Sequence, residues 1–120
     1  MSAWVYVAAI VACGVASAAR YALGLLRRPH AFPWPTVVAN VVGSAVLGAA
    51  ARAVHDGASE WVLVVLGVGL AGGLTTFSSL ALDAVTLWQS GRRWGAVVYL
   101  GVTMASGIAA VWLGWALAET

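Results

Sequence analysis

The sequence predicts an all-α integral membrane protein of four transmembrane helices, the third of them broken near Gly72–Thr76. Three observations carry this. Of 120 residues, 62% are hydrophobic and 8% charged, with a mean hydropathy of +0.94, outside the range of soluble globular domains. The apolar residues fall into four stretches, at about 3–26, 34–54, 61–88 and 94–118, each holding the ~20 residues that a span requires. Within the third, Gly72-Gly73-Leu74-Thr75-Thr76-Phe77-Ser78-Ser79-Leu80 sets paired glycines and four hydroxyls where a plain membrane helix carries aliphatic side chains.

The first stretch has no basic residue ahead of its apolar run and outlasts the hydrophobic region of a signal peptide, so it reads as a retained helix. Its Cys13, the only cysteine, has no partner for an intramolecular disulfide and is expected as a buried small residue. The second stretch opens at Trp34-Pro35, where proline suits a first helical turn. It carries Asn40, whose amide must find partners or bear the cost of desolvation, with Gly43, Ser44 and Gly48 extending a small, polar stripe. The third is expected to lose helical pairing at its glycines, and irregular backbone at membrane depth is tolerated only against protein or a water-filled cavity. On the fourth, Tyr99, Thr103, Ser106 and Gly107 share one face. Tryptophans and tyrosines gather at the stretch ends, as in an aromatic belt. All 120 residues form one membrane domain with almost nothing left for a soluble one.

Arg20, Arg27, Arg28, Arg92 and Arg93 fall on the side of the first and third connectors, and only Arg52 on the other. The positive-inside rule therefore puts those two connectors in the cytoplasm and both termini outside. Four helices bury little, so an oligomer is expected. Small residues at four-residue spacing (Gly14 and Ala18, Ser44 and Gly48, Ser106, Ala110 and Gly114) permit close helix contact, either between chains or within one.

Asn40, the third-span hydroxyls and the hydroxyls of Tyr99, Thr103 and Ser106 suggest a polar lane. Its fixed charges are Arg20 at one end and Asp83 beyond the break, and the chain has no lysine. Neutral donors suit a small, strongly hydrogen-bonding anion better than a cation. The electropositive edge of Phe77 would favour an anion too.

These residues resemble the Fluc (CrcB) family of fluoride channels along most of the chain. Gly14 through Arg20-Tyr21 looks like the family's first-helix motif. Phe32-Pro33-Trp34 leading to Asn40 and Gly43-Ser44 looks like its second, and Gly72-Gly73-Leu74-Thr75-Thr76-Phe77-Ser78 is its most specific signature. The resemblance implies a passive fluoride channel of the cell membrane, conferring fluoride resistance and built as an antiparallel dimer. It implies fluoride passing Asn40, Phe77, Ser78, Tyr99, Thr103 and Ser106 at the dimer interface. It further implies one structural sodium ion held by backbone carbonyls near Gly72 and Thr75, with Asp83 at the acidic position that closes the motif.

Two features depart from the family pattern. Leu80 stands where a second phenylalanine is usual, and Pro35 where glycine is usual. The arginine bias is also too strong for a chain that inserts both ways, which points to a heterodimer with a homologous subunit of opposite topology.

Two other functions compete. A small multidrug-type transporter needs a carboxylate in the first helix, and Asp56, Glu60, Asp83 and Glu119 all lie elsewhere. A non-conducting membrane scaffold would use the same polar residues only to join helices. An enzyme is the least expected class, because His30 and His55 fall in different connectors with no nucleophile or ligand set beside them. The basic pI near 9.2 reflects arginines that can rest against anionic lipid, so nucleic-acid binding is not implied.

Overall fold

The computed structural model describes residues 2–27 and 32–118, so Arg28, His30 and Glu119 lie outside the described residues. The elements run α1 (Ala3–Gly24), α2 (Trp34–His55), a π-helix (Leu63–Ala71), α3 (Gly72–Leu74), α4 (Phe77–Gln89) and α5 (Arg93–Leu117). The π-helix, α3 and α4 together make the third span. Four helical stretches are long and apolar enough to cross a membrane, at Ala3–Gly24, Trp34–His55, Leu63–Gln89 and Arg93–Leu117, and the chain is a multi-pass membrane protein.

The break sits slightly past the paired glycines. Gly72 and Gly73 remain helical, and the chain becomes extended at Thr75 (ψ 147°) and Thr76 (φ −151°, ψ 122°). Gly73 serves close approach instead, since a Cβ there would lie 2.5 Å from the Cys13 carbonyl oxygen, and one at Gly69 would lie 2.7 Å from that of Ala9. This backbone contact docks α1 on the third span, and it leaves Cys13 half-buried where full burial was expected. The nine-residue π-helix was not foreseen, because i→i+5 winding has no signature in an unbroken aliphatic run.

Two of the small-residue stripes act inside the chain. A Cβ on Gly48 would stand 2.1 Å from the Val111 carbonyl oxygen, and one on Gly114 the same distance from that of Ala45. The backbones of α2 and α5 therefore touch, and these two helices make the most extensive pairing in the molecule. A Cβ on Gly14 meets open space. Val37, Leu80, Ala84, Leu87, Ala96 and Tyr99 form the apolar core at the other end of this pair.

Trp4 stacks near Trp61 with centroids 5.8 Å apart, and Trp115 lies 5.3 Å from His55, so the chain ends and the second connector share one side, as four alternating spans require. The molecule measures 49 × 27 × 18 Å. The long dimension exceeds the ~40–45 Å of a whole bilayer, and the short one admits only two helices of ~10 Å each. The two larger polar cavities of the chain open on its surface.

Candidate functional site

The site begins with where the backbone amides go at the break. Thr76 N–H donates to Asn40 Oδ1 at 2.9 Å, and Ser79 N–H donates to Thr76 Oγ1 at 3.1 Å, which caps α4. In a continuous helix the first amide would bond the Gly72 carbonyl and the second the Thr75 carbonyl. Both carbonyls thus lose their helical donors. Thr75 Oγ1 donates to the Ala71 carbonyl at 2.9 Å. Gly43 of α2 makes room for the bend, since a Cβ there would sit 2.5 Å from Thr75 Cγ2.

Asn40 is therefore the residue that holds the break open, and its own position is buried, at 9% exposure. Beside it runs a cavity of about 410 Å³ along one face, lined by Asn40, Ser44, Thr75, Thr76 and Phe77 on one wall and Thr103, Met104, Gly107 and Ile108 of α5 on the other. Phe77 opens the first turn of α4 with its ring 81% exposed. Thr103 Oγ1 is buried and has no hydrogen-bond partner, alone in this among the described residues. A buried hydroxyl without a partner costs ~1–3 kcal/mol unless something else supplies one. Leu80 also lines the cavity, yet it is part of the apolar core.

At Thr76 the lane meets a second cavity of about 580 Å³, whose lining includes Arg20, Tyr21, Arg27, Thr36 and Asp83. The Asp83 carboxylate is 5% exposed and closely bound. Arg27 pairs with Oδ1, while Thr36 Oγ1 (2.9 Å) and Tyr99 OH (3.1 Å) both donate to Oδ2. One carboxylate thereby gathers the end of α1, the start of α2, α4 and α5. Arg20 lines the same cavity, with no ion-pair partner among the described residues.

Of the expected lane residues, Asn40, Phe77 and Thr103 are brought together. Ser78 is exposed and shares a 3.2 Å hydrogen bond with Thr76 Oγ1. Ser106 turns its hydroxyl onto the Val102 carbonyl, a common way for a helical serine to satisfy itself. Tyr99 is fully buried and faces Asp83. Arg27 and Thr36 were missed by sequence reasoning, although an acid inside a span demands a partner, and that demand points to the arginines of the neighbouring connector. No cluster of three His, Cys, Asp or Glu side chains that could hold a metal ion occurs among the described residues.

Residues 5–115 match the family described as CrcB-like protein, Camphor Resistance (CrcB). The chain is 43% identical over 90 residues to a protein of Renibacterium salmoninarum named fluoride-specific ion channel FluC, covering 74% of this chain and 71% of that one. It is 39% identical to fluoride-specific ion channel FluC 2 of Bacillus licheniformis, over 91% of this chain and 83% of the relative. It is also 39% identical to fluoride-specific ion channel FluC of Aeromonas salmonicida, over 98% and 96% respectively.

Proposed function

The chain belongs to the CrcB-like family, and from that premise we propose that it is one subunit of a passive fluoride channel through which fluoride leaves the cytoplasm. The observation that carries the reading is the half-open lane, in which a buried, partnerless Thr103 hydroxyl faces the wall that bears the exposed Phe77 ring. Fluoride is small and accepts hydrogen bonds strongly. A lane of hydroxyl donors and an aromatic edge, with no carboxylate along it, suits such an anion and not a cation.

The unpaired Arg20 supports a role for the second cavity as the vestibule where anions collect, since one sign of charge in a low-dielectric recess concentrates counter-ions. The bound Asp83 offsets Arg27 there and leaves Arg20 as the net charge. In our reading the Gly72 and Thr75 carbonyls, freed by the diverted amides, hold a structural sodium ion together with a second subunit. In the same reading that subunit lies antiparallel across the lane and completes it, which the thinness of the single chain supports.

The side of the first and third connectors, which carries Arg20, Arg27, Arg28, Arg92 and Arg93, faces the cytoplasm, and both termini lie outside. With five arginines against one, the chain inserts in a single orientation, so its antiparallel partner is a homologous subunit of opposite topology. Fluoride efflux from liposomes, with chloride as control, tests both parts. Flux only when a co-encoded homologue joins the purified chain is the expected result. Flux from the chain alone overturns the heterodimer, and no flux in either case leaves a scaffold subunit.

A further inference from the structure

The turn between α4 and α5 carries a feature that permeation does not use. Gly91 (φ +82°) reverses the chain sharply, and a cleft of about 190 Å³ lies beside it, lined by Trp88, Arg93, Trp94 and Val97. The Arg93 guanidinium is stacked 5.1 Å above the Trp88 ring, so its planar fork is held in place and not free to swing. Trp94 is 80% exposed, the most open of the span-end indoles among the described residues, and presents its ring at the level of the membrane interface.

The charge here is uncompensated. No acidic residue occurs between Asp83 and Glu119, and Asp83 is buried and bound to Arg27. Arg92 and Arg93 therefore have no carboxylate partner among the described residues. The opposite membrane side also stacks an arginine on an indole, Arg52 on Trp115 at 5.3 Å, but that arginine is paired with Asp56 at 2.8 Å. One side has a neutralised arginine over tryptophan, and the other a charged one beside an open apolar cleft.

We propose that this cleft binds one anionic phospholipid, its phosphate on the guanidinium groups of Arg93 and Arg92 and its acyl chain over Trp88, Trp94 and Val97. A guanidinium fork matches a phosphate in two hydrogen bonds, and the exposed indole and valine give the amphiphile its apolar contact. A soluble anion would use the arginines and leave Trp94 uncovered.

The test is native mass spectrometry of the full-length protein in its assembled form, released from detergent with added phosphatidylglycerol or phosphatidylcholine. The expected result is about fivefold greater retention of phosphatidylglycerol, lost in Arg93→Gln and weakened in Trp94→Ala. Both positions are exposed, so both variants keep the fold, and a melting curve of each checks this. Equal retention of the two lipids, or an unchanged preference in Arg93→Gln, overturns the proposal. Displacement of the lipid by millimolar inorganic phosphate also overturns it, because the site then belongs to a soluble anion.

Discussion

Two polar clusters meet at Thr76, and they are satisfied in opposite ways. Around Asp83 every strong acceptor is matched: a guanidinium, a threonine hydroxyl and a phenol converge on one buried carboxylate. Along the lane, Thr103 has a buried hydroxyl with no partner and Phe77 turns its ring out of the molecule. The first cluster is complete within the chain and reads as architecture. The second is not completed by the chain's own groups, and in our reading an ion, a second subunit or both would finish it. A polar residue in a membrane thus declares a structural or a functional role by whether its own chain satisfies it.

Substitutions can break or sharpen that contrast. Asp83→Ala should act most strongly, because it strands Arg27, Thr36 and Tyr99 together. Breaking a buried pair from one side costs ~3–5 kcal/mol, and the loss should appear as a large drop in melting temperature in detergent. Asp83→Asn, which keeps an acceptor for the two hydroxyls, should recover part of it.

Asn40→Ala stands at the border between the clusters. It removes the acceptor of Thr76 N–H and leaves a half-buried donor unpaired, at about 1 kcal/mol. Stability should fall moderately while fluoride efflux falls severely, since the lane loses both a polar group and the bend that shapes it.

Phe77→Ala should leave the melting temperature of the dissociated subunit nearly unchanged, because the ring is 81% exposed in the single chain. Efflux through the assembled protein should nonetheless drop, which liposome flux of the assembly and melting of the dissociated subunit would separate.

Thr103→Val should have the smallest effect on folding, within ~0.5 kcal/mol or slightly stabilising, because the hydroxyl removed has no partner. Losing one hydrogen bond to an ion, ~1.5–3 kcal/mol, should slow fluoride by about tenfold or more. A stability loss as large as that of Asp83→Ala would erase the distinction between the two clusters.

Much of this arrangement was legible beforehand. Hydropathy located each span to within a few residues, and the run of glycines and hydroxyls marked the interruption, whose extended residues are Thr75 and Thr76. Asn40 and Thr103 were assigned to a polar lane by residue type and helical spacing and Phe77 by its place in the break, and all three border the cavity of about 410 Å³. Tyr99 satisfied the same criteria and faces Asp83 instead, because helical spacing groups it with Thr103 yet says nothing of which neighbour each one meets. The glycine pair was expected to act through flexibility, and Gly73 acts through close contact with Cys13.

Composition and pattern alone determined the solvent, the number of spans, the charge asymmetry and which segment could not remain a regular helix. Those properties follow from transfer energies and backbone geometry, which are local to a stretch of chain. Only the tertiary structure decided which carboxylate takes which arginine, which small residues bring α2 against α5, and which hydroxyl is left without a partner. Each of those depends on the rotation of one helix against another, and a turn of about 100° per residue carries a side chain from protein to lane within one position.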